Sequence, residues 1–539
     1  MKSKTNSLDP IMAISTRKAL LAVLSGTMLT AAFPPGRLDW MAWFAVVPLL
    51  ISLENEPTSN AFKLGFMVGI VHFLTLIYWI VVAIGHYGDL NAFLSAATLF
   101  LLCLYLALYL GFFSIFSACV EKSRFALLFI ASFWVGLEYA RAHLLTGFPW
   151  CLLGYTQFKN LHLIQIADLC GVYGLSFLIV IVNILIYHVF FRHHKRGLGL
   201  HKWEFIFAVL MAGLTLTYGH FRLTQEQTDK GPPLHVNSVI IQGNIDQSVK
   251  WAPAHQARTM MTYQRLTRSA YGFKPGLIVW PETSLPFFFQ DNKEYAPKVY
   301  SIARKSGALI LFGSPAYKII DGNPKYYNRA YLVTPNDQPP QYYDKVHLLP
   351  FGEYVPLKNL LFFVSRLVPA AGDFDAGGRI TPLRQGKLSM GILICYEAIF
   401  PELARAHALE GANILINITN DAWFGMTSAP YQHLYMAAFR AVENRMPMIR
   451  AANTGLSAFI GVHGNIIDQS DPFTNEVLKA TLDISKSPFT FYTRFGDIFA
   501  FFAIVMSLIG IASCFFTRRK VKKRRDCTPR DKSSKELTR

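Results

Sequence analysis

Three residues of this chain place a carboxylate, an amine and a thiol at the ends of predicted strands or in the loops beyond them. Glu282 follows the apolar run 277–281, Lys345 lies in a polar loop, and Cys395 closes a strand that begins at Leu388. A carboxylate can take the proton of an attacking thiol, and an ammonium can stabilise the oxyanion that results. Taken singly, each has an ordinary explanation as a helix cap, a solvated charge or a buried filler. Taken together, they supply the parts for acyl transfer through a thioester.

The elements that must position these residues alternate between strand and helix across residues 235–485. Strands are predicted at 236–242, 276–280, 308–313, 330–334, 388–395, 412–418, 446–452 and 457–462, and helices at 254–271, 294–305, 400–409 and 429–444. This order predicts a layered α/β domain with two similar halves. Cys395 then lies at the carboxyl end of a buried strand, where open α/β folds place their chemistry.

The rest of the chain has the composition of a membrane protein. Of its 539 residues, 52% are hydrophobic and only 16% are charged, and the mean hydropathy is +0.29. Apolar segments lie at 18–33, 38–53, 61–84, 92–120, 124–143, 166–191, 203–219 and 495–516. Several reach the roughly 20 residues that cross a bilayer. We expect seven spans before the α/β domain and an eighth after it, although 18–53 could form one re-entrant hairpin.

Basic residues indicate which side of the membrane each segment faces. The chain carries a net charge of +18, and its Lys and Arg residues cluster beside apolar segments, at residues 2–18, 122–124, 192–202 and 518–525. With seven leading spans, all four clusters fall on the cytoplasmic side, as the positive-inside rule requires. The clusters do not form a basic stripe with interleaved aromatic residues, so no nucleic-acid partner is expected.

These patterns divide the chain into five parts. They are a cytoplasmic N-terminus at 1–17, a transmembrane domain at 18–220, a catalytic domain at 235–485, a last transmembrane helix at 495–516 and a basic cytoplasmic tail at 517–539. The seven cysteines form no C-x-x-C pair, and the histidines show no spacing typical of metal ligands. We therefore expect no metal and no cofactor.

Short motifs around the three reactive residues resemble the nitrilase, or carbon–nitrogen hydrolase, superfamily, whose members share a Glu-Lys-Cys triad on an αββα sandwich. The matching stretches are Trp280-Pro281-Glu282, Tyr343-Asp344-Lys345 and Cys395-Tyr396-Glu397. Because apolar segments flank this block, residues 15–515 as a whole are similar to the membrane-embedded branch, the bacterial apolipoprotein N-acyltransferases. Supporting stretches lie at 146–150, 242–251, 347–356 and 420–425.

The resemblance implies both a fold and a reaction. The fold is a polytopic α-helical membrane domain of about eight helices joined to an extracytoplasmic nitrilase-like αββα sandwich. In the reaction, Cys395 takes an acyl chain from a phospholipid donor. The thioester then passes that chain to the free α-amine of a diacylglyceryl-cysteine in an apolipoprotein. Glu282 is the general base, Lys345 the oxyanion stabiliser and Cys395 the nucleophile.

The resemblance also implies supporting residues and a location. Glu353, Tyr396 and Glu397 match positions that support the pocket, while Trp251 and Asn328 match residues that handle substrate. The protein is expected to be a monomer in the bacterial inner membrane, with the catalytic domain on the periplasmic side and both termini in the cytoplasm.

Two other functions are compatible with parts of the sequence. A membrane-tethered amidase or nitrilase would use the same triad with water as the acceptor, but seven spans exceed the need of an anchor. A transporter or receptor would use the α/β domain for binding. The spans, however, contain no clear charged pathway and no inverted repeat.

Two apolar loops could contact lipid. Residues 285–289 and 360–364 are contiguous apolar runs outside the predicted strands. Exposed patches of this kind mark membrane or ligand contacts. We expect the loops to dip toward the bilayer, and the alternative is that they pack on the core of their own domain.

Overall fold

The structure is a computed structural model that describes residues 14–36, 38–86, 88, 90–192, 202–225, 234–354, 374–485 and 488–526. A bundle of helices comes first, an α/β domain follows, and one long helix returns to the bundle. The helices of the first part are α1 Thr16–Ala31, α2 Val47–Ser52, α3 Thr58–Leu76, α4 Ile80–His86, α5 Ala92–Val120, α6 Ala126–His143, α7 Leu161–Ile164, α8 Ala167–Ile186 and α9 Lys202–Thr224.

Two six-stranded sheets form the α/β domain. The first has the order β12-β1-β2-β3-β4-β5 and the second β11-β10-β9-β8-β7-β6. The strands are β1 Leu234–Gln242, β2 Leu277–Val279, β3 Leu309–Ile320, β4 Asn323–Val333, β5 Gln341–Asp344, β6 Leu383–Gln385, β7 Leu388–Ile394, β8 Ile414–Thr419, β9 Met448–Ala452, β10 Ala458–Ile460, β11 Ile466–Gln469 and β12 Glu476–Ile484. In each sheet three parallel strands are followed by an antiparallel one. The predicted pair of similar halves is therefore confirmed.

The predicted strands are all present, but four strands were not predicted. These four are β5, β6, β11 and β12, which lie near or at the sheet edges. β5, β6 and β11 have only three or four residues each. β12 mixes exposed polar residues with buried apolar ones along its length. Short or half-exposed edge strands carry little apolar periodicity, which is the signal that predicts a strand.

Helices cover the outer face of each sheet, so the domain is an αββα sandwich. α10 Pro253–Arg268 and α11 Ala296–Ser306 lie on the first sheet, and α12 Pro401–Leu409 and α13 Ala429–Asn444 lie on the second. The two sheets bury a core between them that includes Ile240, Val279, Ile392 and Ile416. The outer layer of the second sheet shares one continuous apolar core with the helical bundle.

The chain ends in two helices, α14 Phe491–Phe495 and α15 Ile498–Asp526. Among the described residues, five helices are long and apolar enough to cross a bilayer: Thr58–Leu76, Ala92–Val120, Ala167–Arg192, Lys202–Thr224 and Ile498–Phe516. The predicted segments at 18–33, 38–53 and 124–143 are also helical but shorter or more polar, and the segment at 61–84 breaks after Leu76. The chain thus has a helical region with several helices that could cross a bilayer, and the total of eight spans stays a prediction.

The loop 285–289 differs from expectation. Leu285, Phe287 and Phe289 are buried in the core between the first sheet and its helices, and only Phe288 is substantially exposed. The prediction that this run dips toward lipid is wrong for those three side chains, because their own domain offers them a core. The second run, 360–364, lies outside the described residues.

Candidate active site

Glu282 is fixed in place by hydrogen bonds that continue the β2–β3 pairing past the end of β2. The Trp280 amide donates to the Leu311 carbonyl (2.8 Å), and the Gly313 amide donates to the Pro281 carbonyl (3.1 Å). A Cβ on Gly313 would lie only 2.7 Å from the Glu282 Cα. The absence of a side chain at this position of β3 lets the Glu282 backbone approach the sheet closely.

Asn328 and Glu353 join Glu282 to Lys345. The Asn328 Nδ2 group donates to Glu282 Oε1 (2.7 Å) and to Glu353 Oε1 (2.8 Å), so both of its hydrogens are used. Glu353 Oε2 lies 2.7 Å from Lys345 Nζ. The Lys345 amide donates to the Asn328 carbonyl (2.9 Å), which ties the residue after β5 to β4. Four predicted site residues therefore form one buried, hydrogen-bonded network.

Cys395 directly follows β7 and has a left-handed backbone conformation with φ of +52°. For a residue with a Cβ this conformation costs about 1–2 kcal/mol, so the surrounding structure must hold it. A 3-10 helix, Cys395–Ile399, begins directly at this residue. The side chain keeps part of its surface accessible and packs against the core between the two sheets. Strain at a reactive residue is common where the backbone must present a side chain to substrate.

The charges of the network act directly on the thiol. Burial raises the pKa of Cys395 to about 12, with Glu282 adding to the shift and Lys345 opposing it. Burial also raises the pKa of Glu282, which Lys345 opposes. Burial alone would lower the pKa of Lys345, but Glu353 and Glu282 raise it above its usual value. The resting thiol is therefore protonated beside a permanent cation, and its attack requires a base to take the proton.

Glu397 holds the lysine loop against the cysteine strand. Its Oε1 accepts hydrogen bonds from the Tyr343 hydroxyl (3.1 Å) and from the amides of Val346 (2.8 Å) and His347 (3.0 Å). Its Oε2 accepts one from the Ile394 amide (2.7 Å). Burial raises the pKa of Glu397 to about 7, and the backbone amides oppose that shift. Because all four partners donate, the ionised carboxylate is the form that satisfies them.

The two remaining predicted residues lie at the margin of this network. The Tyr396 hydroxyl donates to the Gly147 carbonyl (3.3 Å), so the residue after Cys395 contacts the helical part of the chain. Trp251 is 49% exposed. Within the described residues it makes no hydrogen bond or ring contact to Glu282, Lys345 or Cys395.

Lys250, the neighbour of Trp251, is a functional candidate that sequence reasoning missed. It is almost fully buried, and its Nζ lies 3.3 Å from the Glu282 carbonyl oxygen. Burial lowers the pKa of Lys250 to about 8, while Glu282 and Cys395 oppose that shift. In the sequence this lysine resembles an ordinary loop charge, and only the fold reveals that it borders the acid and the thiol.

A second set of buried polar residues that we did not predict from the sequence lies close to Cys395. Asn417 and Arg450 are buried polar residues inside the otherwise apolar strands β8 and β9. The Arg450 Nη2 group donates to Asp421 Oδ2 (2.7 Å), and Arg450 Nη1 contacts the side-chain oxygen of Asn417. The signal was available in the sequence, because a polar residue within a buried strand requires a partner.

Comparisons with known proteins identify the family of this chain. The model of the apolipoprotein N-acyltransferase N-terminal domain matches residues 25–185, and the model of the carbon-nitrogen hydrolase family matches residues 240–487. The apolipoprotein N-acyltransferase of Geobacter metallireducens is 42% identical over 94% of this chain and 97% of its own length. That of Methylococcus capsulatus is 33% identical over 93% of this chain and 96% of its own length. The chain belongs to the apolipoprotein N-acyltransferase family.

Membership of the apolipoprotein N-acyltransferase family confirms the resemblance that the motifs suggest, and with it the class of enzyme. The α/β part is also similar to the crystal structure of Saccharomyces cerevisiae Nit3, at 20% identity and a TM-score of 0.36, over 46% of this chain and 90% of Nit3. The chain is an N-acyltransferase with a nitrilase-like domain, and it is associated with a membrane. Neither the amidase alternative nor the transporter alternative is favoured.

Proposed function

We propose that this protein transfers an acyl chain from a membrane phospholipid to the N-terminal amine of a diacylglyceryl-cysteine in an apolipoprotein, with Cys395 as the acyl carrier. One observation carries the assignment of the site. The network of Glu282, Asn328, Glu353 and Lys345 acts on Cys395, and the sheet that carries Cys395 packs on the helical bundle. A thioester formed there lies beside the membrane region that would supply the lipid.

In the first step, the Cys395 sulfur attacks the ester carbonyl carbon of the phospholipid. Glu282 takes the thiol proton as the carbon–sulfur bond forms, and Lys345 stabilises the oxyanion of the tetrahedral intermediate. The intermediate then collapses with cleavage of the carbon–oxygen bond. The leaving alkoxide receives the proton from Glu282, so a lysophospholipid departs and the enzyme keeps the acyl thioester.

In the second step, the α-amine of the lipoprotein attacks the thioester carbonyl. Glu282 takes a proton from the attacking nitrogen, and the Cys395 sulfur leaves and is reprotonated. An α-amine has an ordinary pKa of about 8, so about a tenth of it is neutral at pH 7. The site therefore needs a base for the attacking amine but no separate means of activating it.

We also propose an orientation, with the catalytic domain on the periplasmic side of the bacterial inner membrane and both termini in the cytoplasm. The position of the basic clusters beside the apolar segments supports it. We further propose that the protein acts as a monomer, because each triad residue comes from the same α/β domain.

The test is intact-protein mass spectrometry of the purified full chain with a defined phospholipid. We expect an acyl adduct that is absent from Cys395→Ala and is discharged by a diacylglyceryl-cysteinyl peptide, with the acyl group recovered as an amide on that peptide. Cys103→Ala, at a buried cysteine of α5, is the matched control and should acylate normally. Discharge by water alone, without acylated peptide, would contradict the transferase assignment.

A further inference from the structure

A buried polar cluster contacts the backbone of Cys395 from the side of the second sheet. His433 of α13 places its Nε2 3.2 Å from the Cys395 carbonyl oxygen, and the Asn417 Nδ2 group lies 3.4 Å from the same oxygen. The His433 Nδ1 atom lies 3.1 Å from Asp421 Oδ1 and 3.1 Å from Arg450 Nη2. All four side chains are buried. The proposed acyl transfer does not use any of them.

The contacts determine the proton on one nitrogen of His433. A carbonyl oxygen can only accept a hydrogen bond, so Nε2 must carry a hydrogen to bond the Cys395 carbonyl. In the neutral ring, Nδ1 is then free to accept from the Arg450 guanidinium. In the charged ring, Nδ1 donates to Asp421. Either protonation state of the ring therefore leaves a donor on the Cys395 carbonyl.

Residues of the helical part of the chain also contact the His433 ring and its neighbour Gln432. The Trp150 ring of the helical bundle lies 5.7 Å from the His433 ring. The neighbouring Gln432 accepts hydrogen bonds from the indoles of Trp150 (2.7 Å) and Trp79 (3.1 Å). The first turn of α13 is therefore anchored to the bundle on one side while His433 reaches the nucleophile on the other.

We propose that His433 is a positioning residue that holds Cys395 in its left-handed conformation by donating to the carbonyl of that residue; this inference rests on Cys395 being the nucleophile of the proposed function. Asp421 and Arg450 orient the ring, and Asn417 supplies a second donor to the same oxygen. The peptide that follows Cys395 is thereby fixed, and with it the direction in which the sulfur points toward Glu282.

The strained backbone explains why a donor is needed at this position. A residue with a Cβ returns readily to an extended or right-handed conformation when nothing holds it. With no donor from α13, Asn417, at 3.4 Å, is the one donor left to this carbonyl among the side chains that the structure describes. The peptide can then rotate and turn the sulfur away from its base. A displacement of about 1 Å at a reacting atom is enough to lower a rate about a hundredfold.

The experiment compares variants of the full chain purified in detergent, with two readouts. The first is the rate constant of Cys395 acylation at saturating phospholipid, together with the half-saturating phospholipid concentration. The second is the rate of Cys395 alkylation by iodoacetamide. We expect His433→Leu to acylate 10- to 100-fold more slowly with an unchanged half-saturating concentration, and to be alkylated at least fivefold more slowly. We expect His433→Gln, which keeps a donor, to remain within threefold of wild type in both.

His407→Leu is the matched control. His407 is equally buried, and its ring packs against Tyr343 at a centroid distance of 5.3 Å. The same substitution there should leave the acylation rate within about twofold of wild type. A drop as large as that of His433→Leu would show that loss of a buried imidazole is sufficient, and it would overturn the positioning role.

Two further results would overturn the inference. One is a His433→Leu protein that acylates within threefold of wild type, and the other is a folded His433→Gln protein as slow as the leucine variant. If the leucine variant does not fold, the glutamine variant alone tests the inference. An acylation rate within threefold of wild type supports it, and a loss of tenfold or more overturns it. If wild type forms no acyl adduct, the proposed function fails, and the alkylation rates then decide the inference by themselves.

Discussion

The two sheets of the α/β domain have the same strand topology, yet their outer helices have different surroundings. On the first sheet, 5 of the 16 residues of α10 are buried, so its outer face meets solvent. On the second sheet, 14 of the 16 residues of α13 are buried, because the helical bundle covers that face. The same architecture thus has one free side and one side sealed against the membrane region.

The proposed catalytic residues are distributed over the two sheets in a way that matches this difference. Glu282, Asn328 and Lys345 come from the first sheet and the loops at its strand ends, and Cys395 comes from the second. In the proposed mechanism, the base and the cation therefore come from the sheet with the solvent-facing side, and the acyl carrier comes from the sheet that packs on the helical bundle.

The largest expected effect tests the contribution of the first sheet. Glu282→Gln keeps the size of the side chain and its capacity to bond Asn328, but the amide cannot take a proton. Acylation of Cys395 should fall by about 10²–10⁴-fold, the usual contribution of a general base. The rate of adduct formation in mass spectrometry measures it, with the exposed Glu294→Gln as an unaffected control. A loss below tenfold would mean that the base comes from elsewhere.

The next effect contrasts ion pairs on the outer layers of the two sheets. Arg440 of α13 pairs with Glu443 at 2.8 Å, fully buried, and also donates to Tyr155 of the bundle (2.8 Å). Arg440→Met leaves a buried carboxylate without its partner and should lower the free energy of unfolding by about 3–5 kcal/mol.

The matched substitution is at Lys298 of α11, which forms an exposed pair at 3.4 Å with Glu294, just before the helix. Lys298→Met should change the free energy of unfolding by less than about 1 kcal/mol. Denaturant unfolding of both full-length variants in the same detergent measures the contrast. Equal effects at the two sites would contradict the view that the bundle seals one face only.

A smaller effect tests the backbone contact that holds Lys345 in place. The Gly377 amide donates to the Lys345 carbonyl (2.7 Å), and a Cβ at Gly377 would lie 2.2 Å from the Asp344 carbonyl oxygen. Gly377→Ala must therefore shift the Asp344–Lys345 backbone, and kcat should fall about 10- to 100-fold. At Gly378 a Cβ would meet nothing within 4 Å. Gly378→Ala should thus keep kcat within about twofold, and equal losses would exclude this backbone contact as the cause.

The smallest effect concerns the second cation, Lys250. Its pKa of about 8 means that the side chain is charged below pH 8 and neutral above it. If its charge favours the ionised Glu282 and the oxyanion, the wild-type rate falls as pH rises through 8. Lys250→Met should lose about tenfold at pH 7 and lack that fall. A pH–rate profile of single-turnover acylation measures both, and an unchanged alkaline limb in the variant would assign the titration to another group.

The sequence predicted the elements of this fold better than the contacts of its site. All eight strands and four helices expected in the α/β domain are present, because apolar periodicity reports burial directly. The sequence order of Glu282, Lys345 and Cys395 also indicated the family. In contrast, no pattern in the chain reveals that one amide of Asn328 bridges two carboxylates, since that depends on how β4 pairs with its neighbours.

What the sequence does not reveal has a common physical origin. Residues 285–289 form an apolar run that suggests a lipid contact, and the sequence around His433 does not show which group its ring meets. In each case the contact is with residues distant in sequence. Phe287 and Phe289 pack in the core of their own domain, and His433 contacts the carbonyl of Cys395, a residue with a left-handed backbone. Sequence periodicity reports whether a side chain is buried but not which group it meets.

The continuous core between α13 and the bundle has a consequence for how the protein can be handled. A fragment cut at residues 235 and 485 would expose to water the apolar face of a helix in which 14 of 16 residues are buried in the whole chain. It would also leave Gln432 without the two indoles that bond it. The boundary drawn by hydropathy between catalytic and membrane regions is therefore not a boundary of independent folding, and a soluble excised domain should aggregate rather than act as a simpler enzyme.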